Sequence, residues 1–144
     1  DTRFNMRHEF DVLPGAEGWQ LSNPPILSMA AIKASLDMFN EVGLDKLLKK
    51  SKALTGYFEF LLKQLGEGTI RIITPENPEE RGCQLSIQVL NANKTLHTKL
   101  TEAGVISDWR EPDVIRCAPV PLYNSFTDLY LMVEKMKEIL KTPS

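Results

Sequence analysis

The spacing of apolar residues predicts two long helices in the first half of the chain. Residues 25–40 are apolar on most sides of a helical wheel, which predicts a helix buried on more than one face. Gly43 ends this helix, and leucines with a 3.6-residue period predict a second helix over residues 44–65, with a gap near Ser51. Gly66 follows at the position that favours a left-handed C-terminal cap.

The middle of the chain changes to the two-residue period of strands. Residues 82–89 alternate between apolar and polar side chains, which predicts a strand with one polar face. An isoleucine-rich run over residues 69–74 predicts the strand before it, and residues 105–108 and 113–118 predict two more around a turn at 109–112. In the alternating strand, Cys83, Leu85, Ile87 and Val89 are expected to face inward, and Gln84, Ser86 and Gln88 outward.

Two further helices complete the pattern. The first covers residues 93–103 and ends before Gly104. The second begins after Asn124 or Ser125, and Asp128 stands three residues beyond Ser125, close to a capping-box arrangement. The order is therefore two long helices, two strands, a helix, two strands and a helix. This order predicts an α+β fold in which about four mostly antiparallel strands are covered by helices on one face.

Composition and charge narrow the classes of partner. The 144 residues are enough for one domain with a real core, and the net charge of −2 provides no basic field for nucleic acid. No apolar run reaches the roughly 18 residues needed to cross a bilayer, and no signal peptide opens the chain. Cys83 and Cys117 are too few for a disulfide framework. We therefore expect no nucleic-acid or membrane partner, and a reducing compartment such as the cytoplasm.

Arg116 is the most informative polar residue, because it interrupts an apolar strand. Side chains on a strand alternate faces, so Arg116 shares a face with Val114 and Ala118. A guanidinium taken out of water is costly unless an anion and further hydrogen bonds meet it. Its planar fork matches a carboxylate with two parallel bonds. Either the chain pairs Arg116 with one of its own acids, or it presents Arg116 to an anionic ligand.

Ser22 and Asn23 are the second pair of polar residues at a structural joint. They precede the first long helix, and both residue types are good helix caps. The other interpretation is that the free N–H groups of this helix N-terminus bind an anionic or polar ligand. A site that used both this joint and Arg116 would be a cleft.

The remaining polar residues predict no catalytic set. His8 and His97 have no Cys, Asp or Glu at ligand spacing, so no metal site is expected. The acidic residues Glu76, Glu79 and Glu80 are typical of a solvated loop.

Several stretches carry a resemblance to a known family. Ser22-Asn23-Pro24-Pro25 and the run Glu80-Arg81-Gly82-Cys83-Gln84-Leu85 are the most specific of them. The chain resembles the C-terminal portion of the kynureninases, which are pyridoxal-phosphate enzymes of the aminotransferase-like fold, fold type I. The resemblance implies that residues 1–40 are the tail of the large-domain region with a linking helix, and that 41–144 form the small C-terminal α+β domain. The full set of matching stretches is 2–6, 18–26, 54–57, 73–75, 80–85 and 116–128.

The resemblance also implies an activity and site residues. Kynureninases hydrolyse a side-chain carbon–carbon bond of L-kynurenine or 3-hydroxykynurenine, giving anthranilate or 3-hydroxyanthranilate and L-alanine. The family acts in tryptophan catabolism, towards NAD biosynthesis, as a homodimer. The arginine matching Arg116 holds the substrate carboxylate. The asparagine matching Asn23 lines the cofactor and substrate pocket, and Ser22 is placed to contact the aryl end of the substrate.

The sequence departs from the complete family pattern. The Schiff-base lysine, the aspartate that pairs with the pyridine nitrogen, and most phosphate contacts of the family precede this region, and no lysine here has the matching context. We therefore expect the chain to lack an N-terminal large domain and to be inactive alone. The open alternatives are the small domain of a class V aminotransferase or cysteine desulfurase, and a regulatory module that binds an amino acid.

Overall fold

The computed structural model describes residues 5–141, so residues 2–4 of the first matching stretch lie outside the described part. The chain divides into two compact units, Asp1–Glu41 and Val42–Ser144. In the described part, no helix has both the length and the apolar character that crossing a bilayer requires.

The first unit contains a short 3-10 helix, Ala16–Trp19, and most of the first long helix. Helix α1 spans Ile26–Val42 and begins directly after two prolines, with the Met29 N–H donating to the Pro25 carbonyl at 3.0 Å. The helix is therefore confirmed. The prediction that it is buried on more than one face is wrong for this chain, because none of its residues is buried and Leu27 is 88% exposed. Apolar surface on this scale is typical of an interaction surface.

The second unit begins with helix α2, Leu44–Lys63, and glycines mark both of its ends. Gly43 and Gly66 have φ of 86° and 91°, a region that residues with a side chain rarely adopt. Both predicted helix boundaries are confirmed. The predicted gap at Ser51 lies on the buried stripe, where the Thr55 hydroxyl donates to the Ser51 carbonyl at 3.0 Å. This local bond satisfies the buried Thr55 hydroxyl.

A four-stranded antiparallel sheet follows, in the order β1-β2-β4-β3. The predicted third strand is misplaced: 105–108 was expected, but Trp109 and Arg110 pair with β4, and the turn begins only at Glu111. Trp109 packs against the core, so the strand continues to Arg110. The turn that Pro112 predicts therefore begins two residues later than expected. The strands are β1 Ile70–Ile72, β2 Leu85–Val89, β3 Asp108–Arg110 and β4 Val114–Cys117.

Helices cover one face of this sheet and close the core. Besides α2 they are α3, Lys94–Glu102, and α4, Phe126–Lys141. Fully buried residues come from both layers, and the predicted α+β architecture is confirmed. The alternation predicted for β2 holds for Leu85, Ile87 and Val89, which are buried, but the strand begins only at Leu85, and Cys83 precedes it and is half-buried. The core also includes Leu54, Phe58, Leu62, Ile70, Leu100, Ile115, Leu129, Met132, Val133 and Met136.

The start of α4 has the predicted capping box. The Ser125 hydroxyl accepts from the Asp128 N–H at 3.2 Å, and the Asp128 carboxylate accepts from the Ser125 N–H at 2.8 Å. This backbone hydrogen bond, together with a hydrogen bond from the Asn124 side-chain amide, lowers the pKa of Asp128. The two reciprocal bonds satisfy backbone donors that the helix itself leaves free.

The loop between β1 and β2 is held by a buried arginine that the sequence did not single out. The Arg81 side chain is 1% exposed and lies 2.6 Å from the Glu59 carboxylate on α2, whose side chain is 12% exposed. Burial alone would raise the pKa of Glu59, but hydrogen bonds from Lys63 and Arg81 outweigh it, so the pKa is lowered. The acidic side chains of this loop remain exposed, as predicted, and Glu76 and Glu79 pair with lysines of α2.

Replacing Arg81 with alanine should destabilise the 144-residue chain by about 3 kcal/mol, because the largely buried carboxylate of Glu59 would lose its buried partner and keep only the more exposed Lys63. Urea unfolding at neutral pH measures this change. The double variant Glu59→Leu/Arg81→Met should recover most of the loss, since it removes both charges and keeps the volume.

Arg71→Ala is the matched control, because Arg71 is exposed on β1, and it should change the unfolding free energy by less than about 0.5 kcal/mol. The lowered pKa of Glu59 gives the pH dependence its sign. The contribution of the pair should be complete above the ordinary carboxyl pKa of 4.5 and be lost as the pH falls below it. Equal stability of Arg81→Ala and Arg71→Ala would contradict this account of the loop.

Candidate functional site

Arg116 lies on the open face of the sheet, opposite the helices. Its strand neighbours Ile115 and Cys117 are buried in the core, so alternation turns Arg116 outward. Antiparallel pairing places Ser86 on one side of Arg116 and Asp108 on the other. Arg116 shares this face with Val114, as predicted, but its side chain is 32% exposed and its cross-strand neighbours are polar, so the guanidinium is not fully withdrawn from water.

Asp108 is the partner of Arg116 within the chain. The Arg116 Nε donates to Asp108 Oδ2 at 2.7 Å, and Nη2 donates to the same oxygen. Arg110 lies on the other side of this carboxylate, with its Nε 3.1 Å from Oδ2. The hydrogen bond from Arg116 is the main cause that lowers the pKa of Asp108, and the charges of both arginines act in the same direction.

This ion pair leaves part of the guanidinium unused. Arginine has five N–H donors, and Asp108 takes the edge formed by Nε and Nη2. Among residues 5–141, no side chain or carbonyl accepts a hydrogen bond from Nη1 of Arg116. The other edge, formed by Nη1 and the second Nη2 hydrogen, also presents two parallel N–H donors and can bind a carboxylate. Arg116 is therefore paired internally, and one edge of its guanidinium remains free. That this edge binds an anionic ligand stays a prediction.

Cys117, the next residue, faces the core and has a different character. Burial raises the pKa of its thiol to about 12, so the thiol is protonated at neutral pH. A protonated, buried thiol is a poor nucleophile. Cys83 is also free but only half-buried.

Ser22 and Asn23 belong to the first unit, while Arg116 belongs to the second. Both residues precede α1 by three or more positions and are exposed. The Gln20 side chain donates to the Ser22 carbonyl at 2.7 Å, which shapes the turn before the two prolines. Their predicted contacts with substrate and cofactor stay predictions.

Two cavities of the second unit are lined by residues other than Arg116. One, of about 490 Å³, lies between the end of β4 and the start of α4, and Lys135 is among its lining residues. The other, of about 330 Å³, adjoins the start of α3 and includes Lys99. Over residues 5–141, no three His, Cys, Asp or Glu side chains come together as metal ligands. Arg116 stands on an open surface of the sheet.

Comparison with known proteins identifies the family. The model of the kynureninase C-terminal domain matches residues 47–136, which include the whole sheet and the Asp108–Arg116 pair. The chain belongs to the kynureninase C-terminal domain family. The resemblance noted in the sequence is thereby confirmed.

Individual relatives agree with this assignment. The chain is 54% identical to a kynureninase of Koribacter versatilis over 135 residues, 94% of this chain and 32% of the relative. It is 53% identical to one of Myxococcus xanthus over 136 residues, 94% of this chain and 32% of the relative. This kynureninase C-terminal domain chain thus spans about a third of the length of the curated relatives that it matches.

A solved structure supports the fold alone. A NifS-like protein superposes with a TM-score of 0.68 over 85% of this chain and 36% of its own, at 21% sequence identity. At that identity the match concerns the α+β architecture of the kynureninase C-terminal domain.

The different environments of the two thiols predict different reactivity. In the native chain a disulfide reagent at mildly alkaline pH should modify Cys83 rapidly and Cys117 only after unfolding, because the Cys117 thiolate is suppressed by burial. The absorbance of the released thiol follows both phases.

Cys83→Ser should remove the fast phase and Cys117→Ser the slow one. Simultaneous reaction of both thiols in native buffer would contradict the buried position of Cys117.

Proposed function

We propose that this chain is the C-terminal part of a kynureninase, and that the complete polypeptide hydrolyses L-kynurenine or 3-hydroxykynurenine to L-alanine and anthranilate or 3-hydroxyanthranilate. The observation that carries the proposal is the free fork of Arg116 on an open sheet face, in a chain of the kynureninase C-terminal domain family. The relatives' names do not favour the alternatives of a class V aminotransferase, a cysteine desulfurase or a regulatory module.

Arg116 has the role of holding the substrate carboxylate. Its free edge offers two parallel N–H donors, which fix both the position and the plane of a carboxylate. Fixing the carboxylate of an amino acid also restricts rotation about its N–Cα bond. This restriction selects which of the bonds at Cα is aligned for reaction. For Ser22 the proposed role is a contact with the aryl end of the substrate, and for Asn23 a contact with the cofactor.

The residues of this chain do not fit a complete pyridoxal-phosphate site. A phosphate group needs several N–H donors or cations, but the two cavities of the second unit each contain one lysine and no arginine among their lining residues. Lys50 donates to the Pro121 carbonyl at 2.7 Å, and Lys52 and Lys63 are in ion pairs. Pyridoxal phosphate, which supplies the electron sink of the reaction, would therefore be held by the preceding large domain, with Asn23 as this chain's contact.

The apolar surface of α1 also supports the proposal that a large domain precedes this small domain. Ile26 and Leu27 are among the many exposed apolar residues of this helix. An exposed apolar surface of this kind is typical of a region that packs against another domain. The curated relatives have about two thirds of their length outside the matched region, which could supply that domain. We propose that residues 1–40 are the tail of the large-domain region and link it to a small domain at 41–144, within a homodimer.

The cellular setting of the proposal rests on the resemblance and on the free thiols. Cys83 and Cys117 are unpaired, as expected for a reducing compartment, and the proposed location is the cytoplasm. The proposed pathway is tryptophan catabolism towards NAD.

The role of Arg116 can be tested in a chimaera in which this chain replaces the matching third of the Myxococcus xanthus kynureninase. Arg116→Ala should lower kcat/KM for L-kynurenine by about two orders of magnitude or more, because the charge-assisted fork to the carboxylate is lost. Release of anthranilate, followed by its fluorescence, measures the rate.

Two controls separate this role from a general effect. Arg116→Lys keeps the charge but not the planar fork and should still lose about tenfold or more. Arg71→Ala removes an exposed arginine from the same sheet and should leave kcat/KM unchanged. An active chimaera that tolerates Arg116→Ala would show that the arginine is structural, and an inactive wild-type chimaera would count against the proposed substrate.

The 144-residue chain alone should release no anthranilate from L-kynurenine with added pyridoxal phosphate, because its residues do not complete the cofactor site. The active chimaera is the positive control under the same conditions. Turnover by the isolated chain would overturn the division between the two domains.

A further inference from the structure

We propose that Asp108 is a positioning residue for substrate recognition: it holds the Arg116 guanidinium by one edge so that the other edge faces the substrate carboxylate. This inference rests on the proposed function, because it assumes that Arg116 binds that carboxylate. It starts from the contact in which Asp108 Oδ2 accepts from both Nε and Nη2 of Arg116.

The contact fixes the plane of the guanidinium. An arginine side chain has many rotamers, and a site that leaves the side chain free loses this conformational entropy on binding. Two donors on one carboxylate oxygen remove this freedom before the substrate arrives. The ligand then meets a fork that is already oriented, which is the general origin of a gain in affinity by preorganisation.

Strand pairing and a second arginine position Asp108. Asp108 on β3 lies directly opposite Arg116 on β4, so the pairing of these two strands sets the separation of the two side chains. Arg110 Nε lies 3.1 Å from the same Oδ2, so donors reach this oxygen from two sides. Within this cluster, two guanidinium groups and one carboxylate leave one positive charge, which matches the single carboxylate of an amino acid.

The edge that Asp108 occupies indicates that it orients Arg116 and does not compete with the substrate carboxylate for the same donors. A carboxylate that competed with the substrate would occupy the Nη1–Nη2 edge, and removing it would strengthen binding. Asp108 instead occupies the Nε–Nη2 edge and leaves Nη1 without an acceptor among the described residues. Removing it should therefore weaken binding, and only for ligands that carry the carboxylate.

The test uses the chimaeric holoenzyme described above and the variant Asp108→Asn. The KM for L-kynurenine should rise about tenfold, as expected when a hydrogen bond to a charged group is lost. The inhibition constant of kynurenamine, the decarboxylated amine of kynurenine, should stay within about twofold of the wild-type value, because it has no carboxylate for Arg116 to hold. Asp108→Glu keeps the charge and should recover part of the loss in KM.

Asp113→Asn is the matched control, because Asp113 flanks the same sheet but pairs with the neutral Gln88 side chain at 2.9 Å. It should leave both constants unchanged. An unchanged or lower KM in Asp108→Asn would overturn the inference, and so would an equal rise in KM and in the inhibition constant of the amine. If Asp108→Asn does not fold, Asp108→Glu decides, since a wild-type amine constant with a raised KM supports positioning and a rise in both opposes it.

Failure of this inference can be told apart from failure of the proposed function. If Arg116→Ala impairs the enzyme and Asp108→Asn does not, Arg116 binds the substrate without help from Asp108. If neither variant has an effect in an active chimaera, the assignment of the carboxylate site to Arg116 fails first.

Discussion

The packing of one apolar sheet face against α2, α3 and α4 is the interaction on which the rest of this structure depends. Leu85, Ile87 and Ile115 are fully buried there, and each contributes about 2 kcal/mol by leaving water. Because side chains alternate along a strand, burying Ile115 and Cys117 turns Arg116 to the opposite face. The position of the candidate site is thus a consequence of the core, and a shift of one residue in β4 would put the guanidinium into the core.

Two arginines of this chain show how environment decides what a charge does. Arg81 is buried and pairs with Glu59, and its effect is to hold the loop between β1 and β2 against α2. Arg116 is partly exposed and pairs with Asp108 by one edge only. A buried pair is costly to break but has no donors to offer a ligand, whereas a half-exposed pair can orient a donor and leave another free. The second arrangement is the one that suits recognition.

The candidate site is an open surface of the sheet around Arg116. Arg116 stands on an open face, Ser22 and Asn23 stand in the other compact unit, and α1 exposes an apolar surface. These features agree with a chain that covers about a third of its curated kynureninase relatives. In the proposed function, this domain contributes orientation to the reaction, while the covalent chemistry belongs to the cofactor and to the polypeptide that would hold it.

Local signals in the sequence determined most of the helices and strands. Gly43 and Gly66 mark helix ends because only glycine adopts their positive φ without strain, and the capping box of Ser125 and Asp128 is a contact between residues three apart. The alternation in β2 likewise follows from the period of a strand. Short stretches of the sequence also carry the resemblance to the kynureninases, and Arg116 lies in one of them.

The sequence by itself therefore determined the order of elements, the fold class, the family and the candidate arginine. Only the tertiary structure decided the start of β3, the burial of Arg81 against Glu59, and the open face and Asp108 partner of Arg116. These contacts join residues that are distant in the chain or on different strands, so they depend on strand register and on how the layers pack. The local hydrophobic period does not determine which residues of neighbouring strands face each other. The pairing of Arg116 with Asp108 therefore depends on the register of β3 against β4.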